Sequence, residues 1–162
     1  MFFSDVRIWF PFYAFIVYLL FRHLGWKRAL IVVAVLIITV VLTDQISHHL
    51  KNSIMRLRPC YTLAMLEGGL WWPLPRGGFY GFFSGHSSNA FAFALASTLG
   101  FGKNAPKGYA AGIFIWAALV ALSRVFMAMH YLGDILVGML FGLAVGLLTG
   151  LLARWIISAL KI

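Results

Sequence analysis

Residues 8–21, 29–43, 87–101, 109–122 and 135–153 form five apolar runs broken by short polar segments, and this pattern constrains the chain more than any other feature. Crossing hydrocarbon takes about 20 residues of helix at 1.5 Å each, and only the last run approaches that length. The other four must extend into their flanks, with Lys and Arg snorkelling and Trp or Tyr resting at the interface. Composition agrees: 62% of residues are hydrophobic, 10% are charged and the mean hydropathy is +0.93, too apolar for the surface of a soluble domain of this size. The expected fold is all-α, an integral membrane bundle of about five transmembrane helices forming a single domain over residues 1–162. No domain boundary, low-complexity tract or repeat interrupts it.

The first run is read as a retained span and not a signal peptide. Asp5 and Arg7 stand where a basic cluster would, and no small-residue cleavage site precedes Arg22. The chain enters this run almost at once, so longer relatives are expected to carry a further N-terminal segment. The second run is expected to continue as helix past Asp44 toward Leu57, because Ile46, Leu50, Ile54 and Leu57 recur at helical spacing and Pro59 then stops it.

A net charge of +9 would suggest nucleic acid in a soluble protein, but these bases are scattered between apolar runs with no basic-aromatic face. No nucleic-acid partner is expected. With five spans the loops alternate sides. One side carries Arg22, Lys27, Arg28, Lys103, Lys107, Arg154 and Lys161, with no acid among them. The other carries Arg7, Lys51, Arg56, Arg58, Arg76 and Arg124 and all four acids, Asp5, Asp44, Glu67 and Asp134. Seven bases against six decide nothing by the positive-inside rule. With Lys51, Arg58 and Arg124 set aside as site residues, the count becomes seven against three, and the first side is cytoplasmic. The lone Cys60 excludes an internal disulfide and reads as a small apolar residue.

Three polar clusters fall on the outer side. Lys51 and Arg58, in K-N-S-I-M-R-L-R-P, are seven residues apart, about two helical turns, so they can point the same way; taken alone, a snorkelling helix end is the better reading of them. Ser84-Gly85-His86 precedes the third run. Glycine there lets a ligand approach the backbone, and free N–H groups attract anions, although an ordinary cap has the same appearance. Ser123-Arg124 is followed by His130 and Asp134, whose four-residue spacing lets a carboxylate reach an imidazole on a helical turn. Ionisable groups at the edge of a span are costly, and function is their default reading.

In this order and spacing, K-x6-RP, SGH and SR-x5-H-x3-D resemble the type 2 phosphatidic acid phosphatase superfamily, which includes the vanadium haloperoxidases. The resemblance covers Lys51 to Asp134. It departs once: the second motif usually reads PSGH, and Phe83 replaces its proline. The resemblance implies a metal-independent phosphatase without a cofactor, acting on a phosphorylated membrane lipid. Lys51, Arg58, Arg124, Ser84 and the Gly85 N–H hold the phosphate. His130 attacks phosphorus to give a phosphohistidine, Asp134 orients it and His86 protonates the leaving oxygen. Expected substrates are a polyprenyl pyrophosphate, phosphatidylglycerophosphate, phosphatidic acid or a lipid A phosphate, met on the outer face of a bacterial inner membrane. Phosphotransfer to a second lipid is one alternative, and a non-enzymatic lipid carrier is another. A carrier needs cations but no nucleophile, so the His130–Asp134 pair speaks against it.

Other polar residues read more blandly. Asp44 and His48 share the four-residue spacing but lie outside the motifs and read as a polar helix flank, with a supporting role behind the site as the functional alternative; His48-His49 lacks a completing Cys/His set for a metal. His23 belongs to the cytoplasmic loop. Trp71, Trp72, Phe79 and Tyr80 read as interfacial packing, with a role in seating a lipid tail as the functional alternative. Gly138, Gly142, Gly146 and Gly150, one every four residues, mark a helix-packing face, read as intramolecular and not as a dimer seam.

Overall fold

The computed structural model describes residues 9–63, 67–68 and 78–162; Asp5, Arg7, Arg76, Trp71 and Trp72 lie outside them. Proline in the first turn starts α1 (Phe10–Leu24), where its missing N–H costs nothing. Gly25, at φ 75°, separates α1 from α2 (Trp26–Ile54). Then follow α3 (Gly85–Phe101), α4 (Tyr109–Phe126) and α5 (Leu132–Ala159). Helices α2, α4 and α5 are long and apolar enough to cross a membrane by themselves, while α1 is a shorter apolar helix. The all-α membrane bundle expected from the sequence is the fold observed.

The second helix ends earlier than its apolar spacing suggests. Met55 takes a left-handed conformation at φ 51° and its N–H closes on the Lys51 carbonyl at 3.0 Å. Leu57 is therefore not helical but forms an isolated antiparallel bridge with Tyr80. Helical spacing ran on to Leu57 because it records only which residues are apolar. The stop comes from a backbone reversal stabilised by a segment more than twenty residues away.

Helix α3 is the hub and packs against all four others. Its tightest neighbour is α5, through the glycine stripe. A Cβ on Gly138 would lie 2.6 Å from the Ser84 carbonyl oxygen, and one on Gly146 2.6 Å from that of Ala92. A Cβ on Gly142 would collide with the Ser88 carbonyl, and one on Gly150 would meet Leu99 at 2.8 Å. The stripe thus packs inside the molecule, backbone against backbone, as small residues do in membranes. Around this seam Leu20, Val32, Phe101 and Ala117 are fully buried, and the Tyr109 hydroxyl donates to Ser97 Oγ at 2.9 Å. The C-terminal ends of α1, α3 and α5 share one end of the bundle with the N-terminal ends of α2 and α4. All seven bases of the acid-free loops belong to that end, and the three motifs belong to the other.

Candidate active site

At the motif end, the start of α3 is fixed to the start of α5. The Ser84 N–H donates to the Asp134 carbonyl and Ser87 Oγ to that of Ile135, at 3.0 and 2.8 Å. Ser84 is the N-cap, its Oγ accepting from the Ser87 N–H at 3.3 Å, so the cap reading of this motif is correct as far as it goes. Gly85, the first residue of this helix, lies against Ser47 and Lys51. A Cβ on Gly85 would sit 3.3 Å from Lys51 Nζ and 2.8 Å from Ser47 Oγ, so any side chain there would displace the ammonium. Phe83 is buried, its ring 5.0 Å from that of Phe141.

Arg58 does not reach Lys51 along a shared helix face, as the seven-residue spacing suggested, because the helix has already ended. The reversal at Met55 carries it back, held by Arg58 N–H to the Phe79 carbonyl (3.0 Å) and Gly81 N–H to that of Arg56 (2.8 Å). Its Nε donates to the Tyr80 carbonyl at 3.1 Å and another guanidinium nitrogen contacts Met129 Sδ at 3.3 Å. Burial draws its pKa down from the ordinary arginine value. Arg124, buried in the last turn of α4, shapes the turn carrying His130: its carbonyl accepts the Met129 and His130 N–H groups at 3.0 and 3.3 Å.

His130 and Asp134 do not share a helical turn. Tyr131 is the N-cap of α5, so the histidine precedes the helix and Asp134 is its third residue. The Asp134 carboxylate caps the helix, Oδ2 accepting the Tyr131 N–H at 2.9 Å. The same oxygen lies 3.7 Å from His130 Nδ1, beyond hydrogen-bond range but within reach of a small shift. Both side chains are buried. Burial lowers the imidazole pKa, and the carboxylate opposes that shift.

One participant went unrecognised in the sequence. Arg56 donates to Asp134 Oδ1 at 3.0 Å across 78 residues of chain. Its guanidinium lies 4.5 Å from the centre of the Tyr131 ring and 6.0 Å from that of Phe82. Its only sequence signal was a second arginine in R-L-R-P, counted among the bases of the outer side. His86 is exposed, and the charges of Arg124, His130, Lys51 and Arg58 all bear on it. The eight residues singled out by the motifs thus converge at one end of the bundle, with Arg56 as a ninth.

The other polar candidates stay apart. His48 Nε2 meets Asn52 Nδ2 at 3.2 Å and not Asp44. His23 lies near Phe101 at the opposite end, and Phe79 packs against Tyr61. Among the described residues no three His, Cys, Asp or Glu side chains cluster around one point. A cavity of about 730 Å³ opens from Lys51, Gly85 and His86 and runs between α1, α2, α3 and α4.

The family model described as the PAP2 superfamily matches residues 28–157. A lipid A 4'-phosphatase of Bacteroides thetaiotaomicron is 31% identical over 147 residues, covering 86% of this chain and 62% of that protein. A lipid A 4'-phosphatase of Porphyromonas gingivalis is 33% identical over 131 residues, covering 80% of this chain and 54% of that one. The chain therefore spans less than two thirds of either relative. The crystal structure of a transmembrane PAP2-type phosphatidylglycerolphosphate phosphatase from Bacillus subtilis shares the fold. Its TM-score is 0.68 at 23% identity, over 94% of this chain and 72% of that one.

Proposed function

We propose that this chain, which belongs to the PAP2 superfamily, is an integral membrane phosphatase that removes a phosphate from a lipid through a phosphohistidine. The observation that carries the reading is the convergence of His86 and His130 with Lys51, Arg58 and Arg124 at one end of the bundle. Phosphoryl transfer asks a protein for in-line positioning and for neutralisation of the equatorial oxygens. Three cations and the Ser84–Gly85 helix start supply that neutralisation.

His130 Nε2 attacks phosphorus as the bond to the leaving lipid oxygen breaks, and His86 gives that oxygen its proton. Water then attacks the phosphohistidine with His86 taking its proton, the P–N bond breaks, and inorganic phosphate leaves. Nδ1 faces Asp134, so the proton stays on that nitrogen and the other keeps its lone pair. Closing 3.7 Å to the ~2.9 Å of a hydrogen bond stabilises the ring as positive charge develops on it. Arg56 holds the second carboxylate oxygen and acts through Asp134 as a positioning residue.

The basic end free of acids is assigned to the cytoplasm and the motif end to the extracytoplasmic face of a bacterial inner membrane. In a Cys60→Ala background, a cysteine at Gly68 should label with an impermeant thiol reagent in intact cells and one at Gly102 should not. The activity is tested by phosphate release in detergent from polyprenyl pyrophosphate, phosphatidylglycerophosphate, phosphatidic acid and a lipid A phosphate, with and without a chelator. Release from at least one that survives chelation is expected. No release from any, or release that needs a restored divalent ion, would refute the reading.

A further inference from the structure

The phosphate site accounts for only one end of the 730 Å³ cavity. The remainder runs between α1 and α2 past Ile16, Val33 and Leu36, apolar as a hydrocarbon chain requires. Several polar groups interrupt that wall. Asp44, Gln45 and Asn89 line it, with Asn89 four residues inside Gly85, about 6 Å at the helical rise. Asp44 and Gln45 precede Lys51 by seven and six residues, about 10 Å. Deeper still is Trp116, eight residues inside Arg124, about 12 Å.

These groups are left wanting partners. The Thr43 hydroxyl donates to Asn89 Oδ1 at 2.6 Å, which orients the amide and leaves its N–H groups to the cavity. Trp116 is only 9% exposed and its indole N–H has no hydrogen-bond acceptor. The Asp44 carboxylate is exposed at the wall of the cavity, accepts no hydrogen bond among the described residues, and lies close enough to Lys51 for its charge to act on that ammonium. An orphan buried donor such as the Trp116 indole N–H is costly. A cavity meant for hydrocarbon alone would be more stable without them.

We propose that this cavity seats the lipid of the phosphatase reaction and selects lipids bearing hydroxyl or amide groups within ~10–12 Å of the phosphate. Asp44 accepts from a hydroxyl or amide N–H of the lipid, while Asn89 and Trp116 donate to its carbonyls. Phosphorylated sugar lipids with amide-linked or hydroxylated chains offer both partners. Diacylglycerol phosphates offer only the carbonyls. Isoprenoid phosphates offer neither, because hydrocarbon begins at the phosphate ester. The inference rests on the phosphatase reading but concerns a different part of the molecule.

Its test compares kcat/KM for phosphate release from three substrates in mixed micelles: a phosphorylated acylated glucosamine lipid, a phosphatidic acid and a polyprenyl phosphate. The sugar lipid should exceed the isoprenoid at least tenfold, with phosphatidic acid between them. Asp44→Leu should lower the preference for sugar lipid over phosphatidic acid roughly tenfold, about the effect of one hydrogen bond. Asn89→Leu and Trp116→Phe should lower the preference of both over the isoprenoid. Lipid-induced thermal stabilisation of His130→Ala protein, which needs no turnover, should rank the three lipids alike. An isoprenoid substrate preferred or equal by both measures, or variants that reduce all three rates alike, would overturn the proposal. The same binding order, with no phosphate released from any of the three lipids by the unsubstituted protein, would support it while removing the phosphatase reading.

Discussion

Helix α3 has two unlike faces, and their difference separates what must be rigid from what must be open. Against α5, four glycines bring backbones into contact, and two hydrogen bonds fix the start of one helix to the start of the other. Against α1, α2 and α4 the same helix fronts a cavity. The rigid face sets where His130 and Asp134 lie relative to the Ser84–Gly85 helix start, a geometry in which errors near an ångström cost large factors in rate. The open face carries His86 and the cavity proposed to admit the lipid. On the proposed mechanism, one helix thereby serves as the reference for a nucleophile held behind it and a substrate arriving in front.

The two histidines give this comparison its largest effect. Replacing His130 should abolish turnover. Replacing His86 should slow alkyl phosphates severely and largely spare a nitrophenyl phosphate, whose leaving group needs no proton. Steady-state rates on both substrate types check this, and equal losses on the two for His86→Ala would dissolve the distinction between the faces.

Packing comes next. Gly142→Leu drives a side chain into the Ser88 backbone and should cost about 3 kcal/mol or more, seen as a lower Tm in detergent. Val40→Phe, which fills the cavity on the other side, should change stability by less than about 1 kcal/mol while raising KM. Similar melting of the two variants would show that the faces do not differ as described.

Much of this site was legible in the sequence because motif spacing encodes chemistry directly. K-x6-RP, SGH and SR-x5-H-x3-D named Lys51, Arg58, Ser84, Gly85, His86, Arg124, His130 and Asp134, and the glycine period named a packing face. What spacing misled on was the path of the chain between those residues. Lys51 and Arg58 meet through a left-handed Met55 and a bridge to Tyr80, and His130 precedes the helix it was assigned to. Such features depend on contacts distant in sequence and leave no periodic trace. The cavity that Asp44 lines was equally invisible, because it needs α1, α3 and α4 to exist. Arg56 was hidden because its partner lies 78 residues away.

Arg56 offers a smaller, sharper test of the rigid face. Arg56→Gln releases one oxygen of Asp134 and should lower kcat by about tenfold to a hundredfold with KM nearly unchanged, and Arg56→Lys should restore part of it. A rise in KM with kcat intact would instead make Arg56 a substrate-binding residue.

The smallest effect concerns pH. On the proposed mechanism attack needs neutral His130, and burial places its pKa below the ordinary 6.5. Activity should therefore fall as pH drops, with a midpoint below 6.5. Asp134→Asn removes the charge opposing that shift, so the residual activity should have a midpoint lower still. A midpoint that moves upward in the variant would contradict the assigned pairing.

The most direct measurement is to trap the covalent enzyme. His86→Ala protein supplied with a nitrophenyl phosphate and quenched during turnover should carry acid-labile phosphate on His130, and His130→Ala protein should carry none. Phosphate trapped on the His130→Ala protein, or turnover by His86→Ala protein that never accumulates phosphate on His130, would contradict the account.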